Sequence, residues 1–88
     1  MKELVYICNK SEKSQKKAQD LLFQKGYHWN NRSSNYILFK YEIMVYFAND
    51  DKHITFANFK NFNSALTYTR ERVNCQIIKL GFGEIETE

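Results

Sequence analysis

The 88-residue sequence has no proline, only three glycines and only two cysteines. Three scattered glycines supply no Gly-rich phosphate loop, and only Gly81-Phe82-Gly83 places two of them close together. Cys8 and Cys75 are too far apart for a Cys-x-x-Cys metal or redox signature. Together with His28 and His53 they offer no close pair of the kind structural zinc uses, so no metal and no cofactor is expected. Both cysteines sit in apolar runs and are expected as free, inert thiols. No stretch approaches the roughly 18 consecutive apolar residues of a membrane span. Met1 to Val5 carries neither a basic segment followed by a long apolar run nor a small-residue cleavage site, so a cytoplasmic location is expected. Charge of one sign is also scarce. A net charge of +3 falls short of the balance that by itself implies nucleic acid.

What is present is the composition of a folded domain, with 43% hydrophobic, 26% charged and 16% aromatic residues. The surplus of Lys, Asn, Ile, Phe and Tyr is the usage of an AT-rich coding sequence. A chain of this length holds one core, so residues 1–88 are expected to form a single domain, with 84–88 a frayed acidic tail of Glu84, Glu86 and Glu88.

Leu4–Cys8 is β-branched and aromatic and predicts a strand, followed by turn and N-cap residues from Asn9 to Ser11. From Ser11 to Lys25, Ala18, Leu21 and Leu22 recur at helical spacing, and Gly26 sits where a left-handed C-cap belongs, with Tyr27 folding back on the last turn. Lys13, Lys16, Lys17, Asp20 and Gln24 fall on the opposite, solvated face. His28 to Asn35 has no apolar periodicity and predicts a loop. Tyr36 to Ala48 is too long for one strand of so small a domain, which predicts a tight turn near Lys40-Tyr41-Glu42. The polar turn Asn49–Lys52 and the returning strand His53–Ala57 complete a hairpin. Asn61 or Asn63 caps a second helix, with Phe62, Ala65, Leu66, Thr69 and Val73 on one face, and Cys75–Leu80 is the last strand. The order is β-α-β-β-(β)-α-β. It predicts an α+β fold, a two-layer domain with a mainly antiparallel sheet and both helices on one face.

Catalysis finds little support. A nucleophile needs a base oriented by a third group, and no motif surrounds Cys8, Cys75, His28 or His53. Asp50-Asp51 matches a solvated turn, in which Asp satisfies its own backbone. The chain is therefore expected not to be an enzyme.

Basic residues with interleaved aromatics point instead to binding. Lys10, Lys13, Lys16 and Lys17 form one candidate patch, while Arg32, Lys40, Arg70 and Arg72 form another, with Trp29, Tyr36, Tyr41, Tyr46 and Tyr68 as candidate rings for nucleic acid. The bland alternative is solubilising Lys and half-buried Tyr. Gly26-Tyr27-His28-Trp29-Asn30-Asn31-Arg32 gathers the sole Trp with His and Arg directly after a helix C-cap, as binding loops often do. Alternatively, Tyr27 and Trp29 plug one end of the core. The candidate binding residues are thus Tyr27, His28, Trp29, Asn30, Arg32 and Tyr36, with Lys13, Lys17 and Arg70. Phe23 and Tyr68 lie off the core stripes of their helices, which leads us to expect a homo-oligomer.

The pattern Leu21-Leu22-x-x-x-Gly26-Tyr27-x-Trp29, a helix running into a Gly-Tyr-x-Trp turn and then a Tyr-rich strand, resembles that of small accessory proteins of large T-even-type tailed bacteriophages. The resemblance implies a non-enzymatic protein that inhibits or sequesters a host factor, such as a defence protein or a nucleotide signal, by stoichiometric binding in the cytoplasm of the infected bacterium. An accessory protein that binds nucleic acid is the alternative.

Overall fold

The computed structural model describes residues 2–29 and 37–82. Candidate residues Asn30, Arg32 and Tyr36, the loop around them and the acidic tail lie outside the described residues. Seven elements follow one another: β1 (Lys2–Cys8), α1 (Glu12–Gln24), β2 (His28–Trp29), β3 (Ile43–Asn49), β4 (His53–Phe59), α2 (Phe62–Arg72) and β5 (Ile77–Leu80). They make a compact α+β domain around one five-stranded sheet of order β2-β4-β3-β1-β5.

The two central ladders, β1 with β3 and β3 with β4, are antiparallel, whereas the outer ladders, β1 with β5 and β2 with β4, are parallel. The sheet is therefore mixed. The expected placement of both helices on one face is corrected. Tyr6, Cys8, Met44, Tyr46, Ala48, Ile54, Ile78 and Leu80 pack with Ala18 and Leu22 of α1. Their sequence neighbours Val5, Ile7, Ile43, Val45 and Phe47 pack with Ala65 of α2. Successive strand residues point to opposite faces, so the helices cover opposite sides and the domain has three layers. The cause is in the strands: β1 and β3 are apolar at consecutive positions rather than alternate ones, as strands buried on both faces must be.

Both helices start as their sequences dictate. The Ser11 hydroxyl accepts the Ser14 amide at 3.2 Å, and the Asn61 side-chain oxygen accepts the Ser64 amide at 2.8 Å. At the end of α1, the amides of Gly26 and Tyr27 bond the carbonyls of Phe23 and Leu22, each at 3.0 Å, with Gly26 at φ +92°. That is a Schellman closure, and it turns Tyr27 back onto Leu22 in the core.

Two segments depart from expectation. His28–Trp29 is a short strand beside β4 rather than a loop. Ile37–Lys40, expected as a strand, joins no sheet, because its backbone partners are side chains of α1. The carboxamide of Gln19 accepts the Leu38 amide and donates to the Leu38 carbonyl, both at 2.7 Å. Gln15 does the same for Lys40, at 3.1 and 2.8 Å. A carboxamide carries the donor and acceptor of a peptide group, so each glutamine acts as one rung of a strand. The registers agree: four residues of helix rise about 6 Å, and two residues of extended chain span about 6.6 Å. The Tyr46 hydroxyl accepts from Gln19 Nε2 at 3.1 Å, and its proton faces Gln15 Oε1 and the Leu38 carbonyl at 3.3 and 3.2 Å. Burial holds that hydroxyl protonated well above the ordinary tyrosine range.

Candidate interaction surface

The described loop candidates, Tyr27, His28 and Trp29, do not form an exposed cluster. Tyr27 and Trp29 are each only 5% exposed, with the Trp29 ring edge-on to Tyr46 at 6.3 Å and to Phe56 at 6.1 Å. The Lys52 ammonium covers the Tyr27 ring at 4.6 Å. Of the two readings of these rings, the packing one describes their position. His28 is half-buried and meets His53 edge-to-face at 4.8 Å. His53 Nδ1 lies 3.1 Å from the Asp51 carboxylate, which also accepts the His53 backbone amide at 3.1 Å. Those hydrogen bonds hold the Asp51 carboxyl below its usual pKa. Among the described residues, no three of His, Cys, Asp and Glu converge as metal ligands. Cys8 is buried and Cys75 half-buried, and both are free thiols.

The described basic candidates Lys13, Lys17 and Arg70 fall in two separate hollows rather than one. Lys13 and Lys17, with Ser11, Ser14 and Gly81, line a hollow of about 350 Å³ between the start of α1 and the end of β5. The geometry there is fixed by Asn9, whose amide donates to the Gly81 carbonyl at 2.5 Å while its oxygen accepts the Ser11 amide and hydroxyl. Arg70 is on the opposite side of the sheet. It lines a groove of about 450 Å³ with Leu66, Val73, Asn74, Cys75, Ile77 and Lys79. β5 separates the two hollows. It is the last strand of the sheet, and among the described residues nothing pairs with its outer edge. Among the described residues, neither hollow has an acidic residue in its lining.

Alternation along β5 places Ile77 and Lys79 on the α2 face and Ile78 and Leu80 in the α1 core. The groove floor is thus apolar (Leu66, Val73, Ile77) and its rim cationic (Arg70, Lys79). The Lys79 ammonium stands 5.9 Å from the Phe62 ring, and Arg70 has no ion pair among the described residues. Sequence reasoning missed Lys79, although as the only charge within Ile77–Leu80 it was legible as the side chain of that strand that seeks solvent or an anion.

The remaining candidate rings divide. Tyr46 is buried; Tyr68 is half-buried between Phe59, at 5.0 Å, and the Arg72 guanidinium, 3.5 Å from its centroid. Phe23, also off its helix stripe, packs half-buried against the α1 core. Tyr41 is 82% exposed and meets the Phe39 ring edge-on at 4.6 Å. Comparison with protein-family models, with curated proteins and with solved structures finds no match to this chain.

Proposed function

We propose that this chain is a small non-catalytic binding protein that acts by stoichiometric capture, with the basic margin of β5 as its contact surface. The observation that carries the reading is the position of Lys13 and Lys17 on one side of an edge strand and of Arg70 and Lys79 on the other, with, among the described residues, nothing paired to that edge and no acid lining either hollow. Four cations around one edge form a field that attracts an acidic partner and orients its approach. A host protein as the target, in a phage-infected cell, follows from the Leu21–Trp29 resemblance alone. Nucleic acid is the weaker reading, because Trp29 and Tyr46, two of the rings expected to stack on bases, are buried.

The test is capture from bacterial lysate by the immobilised protein and by a Lys13→Glu, Lys17→Glu, Arg70→Glu variant, with circular dichroism to verify that the variant folds. Retention of a protein in near-equal amount by the first and not by the second is expected. Identical capture by both, or none by either, overturns the proposal.

A further inference from the structure

We infer that β5 accepts an extended acidic peptide as an added strand, seating alternate side chains in the groove between β5 and α2. The inference rests on the binding reading above and narrows it to one partner chemistry. Three observations combine. The outer row of β5 backbone groups is unpaired among the described residues, which is the template that strand addition uses. Residues of an added strand on the α2 face would stand about 5 Å from Ile77 and Lys79, directly over the groove that these two line. That groove offers an apolar floor at Leu66, Val73 and Ile77 and two cations at Arg70 and Lys79, so it matches one apolar and one carboxylate side chain at alternate positions of the peptide. On the other face, Lys13 and Lys17 extend the positive field past the end of the strand.

Charge also argues against a second copy of the chain at this edge. Two β5 strands paired about a two-fold axis normal to the sheet would keep each face on its own side. Arg70 and Lys79 of both copies would then share one seam with no acid among the described lining residues to offset them.

The probe is a fluorescent alternating Glu-Val hexapeptide, titrated at low salt against the full chain. Comparison peptides are the Lys-Val analogue and a Glu-Val peptide N-methylated at alternate amides, which retains its charge but cannot pair with a strand edge. A short oligothymidylate serves as the nucleic-acid control. Saturable binding of the Glu-Val peptide is expected, weakened at least about tenfold by N-methylation and by Arg70→Glu with Lys79→Glu, with amide shifts centred on Ile77–Leu80. Equal affinity for the N-methylated peptide overturns strand addition, and so does tighter binding of the oligothymidylate. Absence of peptide binding, or a light-scattering mass of two chains with the Ile77–Leu80 amides already protected, does the same. If peptide binding fails while lysate capture still depends on Lys13, Lys17 and Arg70, only this inference falls. If both fail, so does the binding reading beneath it.

Discussion

The two faces of the sheet are finished to different degrees. On the α1 face, among the described residues, twelve buried hydrophobic residues form the cluster and four partly buried ones join it. On the α2 face six are buried and nine only partly, including Phe59, Phe62, Leu66, Tyr68, Val73 and Ile77. The difference comes from what each helix covers. α1 packs on β1, β3 and β5, and its flank is sealed by the Gln15 and Gln19 rungs. The 11-residue α2 packs on β3 and β4 and leaves the neighbouring margin of β5 as a groove. One face supplies the stability, and the other carries the surface that folding does not consume.

The sharpest test of that contrast removes equal volume from each side. Leu22→Ala, in the closed core, is expected to cost about 3 kcal/mol, because the lost methylenes leave a cavity that cannot collapse. Leu66→Ala, at the half-buried seam, is expected to cost about 1 kcal/mol, since solvent already reaches its site. Urea unfolding of both variants measures the gap, and equal losses would remove the distinction.

Next in size is the glutamine seal. Gln15→Met keeps the volume but leaves the Lys40 amide and the Asn9, Lys40 and Glu42 carbonyls without the carboxamide that serves them. A loss of about 2 to 3 kcal/mol is expected, since removing one partner of a buried pair exposes the desolvation cost of the other. Hydrogen exchange should show the Lys40 amide deprotected while amides of β4 are unchanged. Deprotection spread evenly over both faces would mean that the network is not local to α1.

Two glycines offer a finer comparison. Both are left-handed, Gly26 at φ +92° and Gly81 at φ +84°, so alanine at either is strained by roughly 1 kcal/mol. A Cβ on Gly26 meets nothing within 4 Å, whereas one on Gly81 lands 2.6 Å from the Asn9 side chain. Gly81→Ala must also displace the amide that joins β5 to the start of α1, so about 2 kcal/mol is expected against about 1 for Gly26→Ala. Equal melting temperatures would show that Asn9 yields without loss.

Much of this architecture was legible in the sequence. Ser11, Asn61 and Gly26 announce the helix ends, and Asn49–Lys52 announces the hairpin, because capping and turn chemistry are local. The side of the sheet taken by each helix was also written there, in the unbroken apolar runs of β1 and β3, which a sheet covered on one face alone does not need. Gln15 and Gln19 were illegible for a different reason. Polar residues on a helix read as solvent-facing, and their burial depends on a backbone about twenty residues away that only tertiary structure brings alongside. Of the candidate surface, Lys13, Lys17 and Arg70 were legible by charge, but their common neighbour β5 was not, since strand order is non-local.

The smallest expected effect lies at the β3–β4 turn, outside both cores. Asp51 accepts the His53 amide and contacts its ring, and these bonds lower the folded-state pKa of its carboxyl. A group whose pKa is depressed by folding stabilises the protein above its unfolded value, about 3.9, and loses that contribution as pH falls through the lower folded value. The side chain is largely exposed, so solvent screening keeps the effect small. Asp51→Asn should therefore unfold slightly earlier than the native chain at neutral pH, with the difference shrinking to nothing as pH falls below the carboxylate range. Stability curves between about pH 2 and 7 measure it. A difference that persists undiminished in acid would assign the turn's contribution to backbone geometry, which the amide of asparagine alters, rather than to the carboxylate.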